Sequence, residues 1–453
     1  MKRCYPKHWV ECKFGDVIQI KNGFAFKSKD FKKTNGIPIV KQTQLAGEKV
    51  DLSKCVYVDK SFLKSKSDFI LKKGDILLGM SGSLGKFCIY DLDEPALQNQ
   101  RVGKIEPISI NYLDKRYCWH FLNTIETLLK EKGKGLGVSN ISPSDIEDLP
   151  FPLPPLNEQK RITEKLDAIL PKVKSAKARL EKIPVILKKF RQSVLAAACS
   201  GRLTEDWREG KDLPEPQRGS LSMFSDIISG YAFKSTDFRK QGVPVIKISN
   251  VQYGKYEEDT NQEYLPESFL KRYPNFVVRS GDILIALTRP ITNDTLKVCL
   301  YPEGRQNALL NQRVALLKTK DSVSRSYLLL VLQTYEFKEN IKKNLSETLQ
   351  PNLSPKDLGF IEIEIPPLEE QHEIVRRVEK LFALADSIEE KYKKAYERLE
   401  KLEQAILAKA FRGELVEPDP NDEPAEELIK RILVEKAKLD DGKKTRKTKA
   451  RKK

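Results

Sequence analysis

The side chains able to attack or protonate a bond are few in this chain, and they do not converge. Its three histidines, His8, His120 and His372, sit at no metal-ligand spacing, and none has a serine or cysteine beside it in a nucleophile context. The stretch Gly79-Met80-Ser81-Gly82-Ser83-Leu84-Gly85-Lys86-Phe87 approaches a phosphate-cradling loop. Met80, however, stands where that loop needs its first glycine, and Phe87 where it needs Ser or Thr. No Gly-x-Gly-x-x-Gly follows a strand-like run to open a dinucleotide-binding helix. The seven cysteines are odd in number, scattered and never in a C-x-x-C pair, which reads as reduced thiols in a cytoplasmic protein. These residues predict no catalytic centre, no metal site and no cofactor.

Charge points instead to binding. Lys and Arg number 81 against 64 Asp and Glu, a formal +17, so a polyanion is the expected partner, with nucleic acid ahead of an anionic membrane. No run of 18 apolar residues and no signal-like segment is seen, which predicts a soluble, unprocessed protein. Asn99-Gln100-Arg101 and Asn311-Gln312-Arg313 carry the side-chain types that read adenine and guanine edges.

Those two triplets belong to an internal repeat that must position them. Gly23-Phe24-Ala25-Phe26-Lys27-Ser28 returns as Gly230-Tyr231-Ala232-Phe233-Lys234-Ser235, and Gly36-Ile37-Pro38-Ile39-Val40-Lys41 as Gly242-Val243-Pro244-Val245-Ile246-Lys247. Gly74-Asp75-Ile76-Leu77-Leu78 is matched by Gly281-Asp282-Ile283-Leu284-Ile285, and Asn140-Ile141-Ser142-Pro143 by Asn352-Leu353-Ser354-Pro355. The offset is 206 to 207 as far as Asp75 and a constant 212 from Asn99 onward. Short β-branched runs bounded by Gly, Pro and Asp predict a mixed α+β domain in each copy, with helices around 113–129 and 326–343.

Each copy then carries a long 4,3 apolar spacing. Ile162, Leu166, Ile169, Leu180 and Leu187 mark the first, and Ile374, Val378, Leu381, Leu399 and Leu402 the second, a spacing that predicts two paired helices in a coiled-coil seam. Roughly 40 residues at ~1.5 Å each make a rod on the order of 60 Å. Asn157 is a candidate N-cap, Gly201 and Gly413 are candidate stops, and Pro171 and Pro184 predict bends or a short break. The expected division is a globular domain over 1–155, a spacer helix over 156–201, a linker over 202–222, a second globular domain over 223–366, a second spacer helix over 367–412 and a C-terminal segment over 413–453. In that last segment a short helix near 425–438 precedes a solvated basic tail.

If the two domains read different sequences, residues identical in both cannot discriminate bases. Shared residues should therefore be scaffold, phosphate contacts or partner contacts; the shared cations Lys27, Lys41 and Arg101, with Lys234, Lys247 and Arg313, are DNA-binding candidates of that kind, and the shared Gly-aromatic-Ala-Phe motif is a candidate for core. Discrimination should lie where the copies diverge, over 42–71 and 79–96 in one and 248–278 and 286–309 in the other. There Ser81, Ser83 and Lys86, and Thr288, Arg289, Asn293 and Lys297, carry suitable donors.

The ordered, duplicated set resembles the specificity subunits of type I restriction-modification enzymes. The residues that carry the resemblance are the helix starts at 154–159 and 366–371, the exit Phe190-Arg191-Gln192-Ser193-Val194-Leu195-Ala196-Ala197-Ala198, the run Ser200-Gly201-Arg202-Leu203-Thr204-Glu205-Asp206-Trp207, and Asp419-Pro420-Asn421-Asp422-Glu423-Pro424-Ala425. The resemblance implies two similar mixed α/β target recognition domains, each reading half of a split double-stranded DNA site, joined by two long antiparallel coiled-coil helices in a pseudo-two-fold repeat. It also implies docking of two methyltransferase subunits, with restriction subunits joining that core, and no catalysis by the chain itself. The competing reading is a basic coiled-coil scaffold whose globular domains bind protein; a standalone nuclease ranks third.

Overall fold

The computed structural model describes residues 5–47, 49–80, 87–136, 143–345 and 351–450, with only the backbone course given over 126–136 and 442–450. The chain forms two compact units, one of residues 1–178 with 395–453 and the other of residues 179–394.

In the first unit, Val10–Lys13 pairs antiparallel with Pro150–Leu153 and closes the globular domain. One sheet runs Ile18–Asn22, Val102–Pro107, Asp75–Gly79, Phe87–Tyr90, and continues into Lys49–Val50 and Leu45–Ala46. A second runs Val56–Val58, Ile37–Val40, Ala96–Gln98, Ile70–Leu71, with Ala96–Gln98 parallel to Ile37–Val40. The strands of this pair are apolar on both faces, as Ile39, Val40, Ala96 and Leu97 are all fully buried.

The second unit repeats the plan, without counterparts of the two short strands Lys49–Val50 and Leu45–Ala46. Gln217–Ser220 pairs with Glu362–Ile365; one sheet runs Ser225–Ser229, Val314–Thr319, Ile283–Ala286, Val298–Leu300, and the other Tyr264–Leu265, Val243–Ile246, Ala308–Leu310, Val277–Val278. The 202–222 stretch thus already contains the closing strand of the second domain. The offset grows from 207 at Asp75 and Asp282 to 211 at Tyr90 and Tyr301, so most of the extra length lies between these strands. There the second domain has a hairpin, Ile291–Thr292 against Thr295–Leu296. The single helix expected over 326–343 is two, Arg325–Leu332 and Tyr335–Lys343, the second capped by Thr334, whose Oγ1 accepts from Phe337 N at 3.2 Å.

The Glu-Gln pair at each spacer start is buried for a mechanical reason. Gln159 Oε1 accepts from Asp114 N at 2.8 Å while its Nε2 donates to Pro154 O at 2.9 Å. Gln371 makes the same bonds, from Ser324 N at 2.7 Å and to Pro366 O and Ser322 O at 2.7 and 2.9 Å. Each glutamine thereby ties a spacer helix to the loop that starts a domain helix, satisfying backbone groups that no helix partner reaches. Asn157 is not the cap expected of it; the helix begins at Leu156 and Asn157 lies inside its first turn.

The first spacer is two helices, Leu156–Leu180 and Ile183–Cys199. Pro171 is accommodated within the first, whereas the break falls at Glu181 and Lys182, with Pro184 in the opening turn of the next helix, where a missing N–H costs nothing. The second spacer, Leu368–Ala410, is unbroken. Inside the first unit Ile162 and Leu166 join a core with Ile406, Leu407 and Ala410, and Lys177 reaches Glu403 at 3.4 Å. Inside the second, Val194, Leu195 and Ala198 share a core with Ile374 and Val378, and Arg191 reaches Asp386 at 2.9 Å. Numbers fall on one helix as they rise on the other, so both pairings are antiparallel.

Among the nominated seam residues Ile162, Leu166, Leu187, Ile374 and Val378 are buried, and Ile169, Leu180, Leu381 and Leu399 half-buried. Leu402 is 46% exposed. Glu403, half-buried and paired with Lys177, takes the inward place between Leu399 and Ile406, which leaves Leu402 to one side.

Each spacer ends on a glycine in the left-handed region, Gly201 and Gly413 both at φ 74. The segment after Gly201 braces the second domain: Thr204 Oγ1 donates to buried Glu370 Oε1 at 2.6 Å, and Arg377 donates to Leu203 O at 2.8 Å. The segment after Gly413 braces the first: Lys165 donates to Leu415 O at 2.8 Å, and Arg161 reaches Asp422 at 2.7 Å. The C-terminal helix is longer than expected, Ala425–Ala450, so the backbone over Lys443–Lys449 continues a helix, while the rest of the basic run lies outside the described residues. Leu428 and Ile432 anchor it in the first unit's core, and Lys436 donates to Gly15 O at 2.7 Å. Among the described residues no helix is long and apolar enough to cross a membrane.

Candidate nucleic-acid interface

The shared motifs, far apart in sequence, meet at one backbone crossing in each domain. Phe24 N donates to Gln98 O at 2.9 Å, Gln100 N to Phe24 O at 2.9 Å and Asn99 N to Val40 O at 3.1 Å. In the second domain Tyr231 N donates to Leu310 O at 2.9 Å, Gln312 N to Tyr231 O at 3.1 Å and Asn311 N to Ile246 O at 3.0 Å. The chains pass so closely that a Cβ on Gly23 or Gly230 would lie 2.2 Å from the carbonyl oxygen of Asn99 or Asn311. Only glycine permits that approach. Asn99 and Asn311 spend their side-chain oxygens on the backbone N–H of Arg101 and Arg313, both at 3.3 Å. They are turn builders, so of each triplet the glutamine and the arginine are the parts left facing water.

Arg101 and Arg313 stand where the divergent loops leave the sheet, since Met80 N donates to Arg101 O at 3.1 Å and Leu287 N to Arg313 O at 2.9 Å. Both side chains are exposed. Lys27 and Lys234, three residues beyond the crossing aromatics, are exposed too. Among the described residues none of these four side chains has a carboxylate partner. Lys41 and Lys247, one residue beyond the crossing strand, are half-buried: Lys41 lies 4.1 Å over the Phe31 ring, and Lys247 pairs with Glu263 at 2.7 Å. The structure thus brings Lys27, Lys41 and Arg101 to one crossing and Lys234, Lys247 and Arg313 to its twin. A guanidinium fork has the geometry to hold a phosphate or a guanine edge.

Ser81, Ser83 and Lys86, with the shared Asn140-Ile141-Ser142, lie outside the described residues. Their counterparts in the second domain form a braced hairpin. Thr288 bridges Asn352, Leu353 N donates to Leu287 O at 2.8 Å, and Arg289 N to Pro351 O at 2.8 Å, so the second copy of that shared motif clasps the loop. Arg289 has φ 47 and is exposed. Asn293 and Asp294, at φ 50 and 60, are the two central residues of the tight turn that the hairpin's twist demands. Lys297, half-buried, closes the base by donating its N–H to Pro290 O at 2.7 Å.

Sequence reasoning missed the lysines behind this hairpin. Lys338, nearly buried, donates to Asp294 Oδ1 at 2.8 Å, and Lys342 reaches the same oxygen at 3.2 Å. Hydrogen bonds from Lys338 and then Lys342 hold the Asp294 carboxyl below its ordinary range. The available signal was only a Lys-Lys pair at i and i+4, which one helix face presents together, with Glu339 between them pairing to Lys342 at 2.8 Å. Also missed was an aromatic shelf beside each crossing. Phe24 lies 5.0 Å from Phe26 and 5.5 Å from Phe69 in one domain, and Tyr231 lies 5.2 Å from Phe233 and 5.5 Å from Phe276 in the other.

Two of the three histidines are structural. His8 Nε2 bonds Glu158 at 2.8 Å beside Trp9 Nε1, which donates to the other carboxylate oxygen at 3.1 Å; His120 Nε2 bonds Asp167 at 2.8 Å. His372 is exposed. Among the described residues no three His, Cys, Asp or Glu cluster as metal ligands, and the six described cysteines are free thiols. Burial pushes Cys88 and Cys299 up to about 12, which leaves them inert.

Comparison with known proteins agrees with the repeat. The family described as the type I restriction modification DNA specificity domain matches twice, over residues 6–185 and 219–398. The type I restriction enzyme EcoBI specificity subunit of Escherichia coli is 32% identical, over 97% of this chain and 94% of its own. The EcoKI specificity subunit of Escherichia coli strain K12 is 31% identical, over 98% of both chains. A chain solved in work on complex assembly and conformational transition of a type I restriction-modification system shares the fold, with a TM-score of 0.68, 20% identity, and coverage of 91% of this chain and 100% of that one. This chain belongs to the specificity subunits of type I restriction-modification enzymes.

Proposed function

We propose that the chain reads a split, asymmetric site on double-stranded DNA, with 1–155 and 223–366 each recognising one half. The observation that carries this is the pairing, in both domains, of an exposed shared arginine with the first residues of a loop that differs between the copies. A shared cation gives grip without sequence preference, and an adjacent variable loop gives preference. On this reading Lys27, Lys41, Arg101, Lys234, Lys247 and Arg313 hold the backbone of the duplex. Ser81, Ser83, Lys86, Thr288, Arg289 and Lys297 face its bases, while Asn293 shapes the hairpin that presents them.

The spacer helices over 156–201 and 367–412 set the gap between half-sites. They also offer two equivalent faces, related by the internal repeat, to two identical methyltransferase subunits, through which restriction subunits join. The chain supplies no catalysis of its own: His8 and His120 are spent on Glu158 and Asp167, and the burial-raised thiols are poor nucleophiles. It acts in the cytoplasm, where its DNA is and where its thiols stay reduced.

The test is selection from random duplexes by the chain with its methyltransferase partner. One gapped asymmetric motif is expected, and equal heptad insertions in both spacers should widen the gap while leaving both half-sites unchanged. Absence of any sequence preference would favour the protein-binding scaffold.

A further inference from the structure

The aromatic shelf beside each crossing is copied residue for residue at an offset of 207: Phe24 and Tyr231, Phe26 and Phe233, Phe62 and Phe269, Phe69 and Phe276. The segment that carries its outer half begins Ser61-Phe62-Leu63-Lys64 in one domain and Ser268-Phe269-Leu270-Lys271 in the other, and ends on Phe69 and Phe276. Between those identical ends the four residues 65–68 and 272–275 all differ. One of them stands on the crossing aromatic itself. Lys66 Nζ lies 4.1 Å over the Phe24 ring, and its counterpart Tyr273 places its ring 4.7 Å from that of Tyr231. Arg272, beside Tyr273, lies 5.5 Å over the Tyr273 ring and 5.7 Å over that of Phe269.

We infer that Lys66 and Tyr273 are equivalent specificity-determining residues, each reading a base in the half-site of its own domain. Aromatic rings flank them at matching positions in both domains, so the side chains at 66 and 273 are presented at equivalent places. The crossing puts both next to the DNA grip, because Phe24 and Tyr231 exchange backbone hydrogen bonds with the residues just before Arg101 and Arg313. Their chemistries differ as readers must. Lys66 offers three donors and a charge, suited to the O6 and N7 acceptors of a guanine edge. Tyr273 offers one hydroxyl and an apolar ring, suited to a single polar atom or a thymine methyl. Both are half-buried on the shelf, which limits their rotamers and fixes the head group in place.

This inference rests on the DNA interface proposed above, and its test separates the two. The full chain carrying Lys66→Tyr, and separately Tyr273→Lys, is expressed with its methyltransferase partner in cells lacking other modification, and methylated motifs are read by sequencing. Lys66→Tyr is expected to shift preference by roughly fivefold to a hundredfold at one or two positions of one half-site. Tyr273→Lys should act on the other half-site, and Lys66→Arg, which keeps the cation on the ring, should preserve the motif. An unchanged motif, uniformly weaker binding to all sequences with a salt slope reduced by about one, or a change in both half-sites overturns the inference. Lys66→Met keeps the stem over Phe24, and its thermal unfolding checks that lost specificity is not lost fold. Arg101→Ala with Arg313→Ala tests the interface itself: full affinity in that variant would sink the interface whatever Lys66 does.

Discussion

Replacing Gln371 by Leu isolates what the repeated Glu-Gln pair contributes. The side chain is fully buried and serves Ser324 N, Ser322 O and Pro366 O at 2.7, 2.9 and 2.7 Å. Leucine fills nearly the same volume, so the cost is the three backbone groups left without partners. An orphaned buried N–H costs about 1–3 kcal/mol and a carbonyl somewhat less, giving about 3–5 kcal/mol in all. At a urea m-value of about 2–3 kcal/mol/M, the unfolding midpoint of the unit built from 179–394 should fall by about 1–2 M. Trp207 is the only tryptophan of that unit, so its fluorescence in a variant with Trp9 and Trp119 changed to Phe reports the transition. Hydrogen exchange at Ser324 should quicken in parallel. A midpoint shift below about 0.3 M, or unchanged exchange at Ser324, would refute the capping role of Gln371. Gln159→Leu should repeat the effect in the other unit, since Asp114 N and Pro154 O lose the same partner.

Gly230→Ala forces a Cβ to 2.2 Å from the Asn311 carbonyl oxygen, so the crossing must open; we expect a loss of about 2–3 kcal/mol and of DNA binding, read by thermal unfolding and mobility shift. A variant with full stability would mean the crossing has room for a methyl group after all. Arg101→Ala or Arg313→Ala should weaken binding to all duplexes alike and lower the slope of log affinity against log salt by about one each; a change confined to certain sequences would make that arginine a base reader. Burial holds His120 below its ordinary pKa even with Asp167 beside it. The folded chain therefore resists protonation that the unfolded chain accepts. The resulting stability is fully present above the unfolded value near 6.5 and is lost as pH falls through the folded value. Melting temperatures from pH 7.5 down to pH 5 should fall less steeply in His120→Gln, and equal slopes would show that this histidine does not contribute.

Much of the plan was legible because it was written twice. The strand runs around Gly36 and Gly242, the helix starts at Gln159 and Gln371, and the stops at Gly201 and Gly413 are short-range signals, and the structure realises each of them. That Gly23 touches Asn99 was not legible, since nothing local says which shared motifs meet. Nor was the place of Leu402. Seam positions depend on which row faces the partner, and Glu403 takes the inward place because Lys177, on another helix, neutralises it. Lys66 and Tyr273 were hidden for a similar reason: they fell within segments read as divergent, and only the rings beneath them single them out.

The division of the chain sets an order of events at the ribosome. The unit over 179–394 is continuous and can close as soon as its spacer helix has emerged. The other unit is discontinuous, built from residues on both sides of 179–394. Its core needs Ala410, Phe411, Leu428 and Ile432 beside Trp9 and Phe121. The core around Trp9 and Phe121 is therefore completed only once residues 410–432 have been made, and until then part of its apolar surface stays uncovered and open to chaperones.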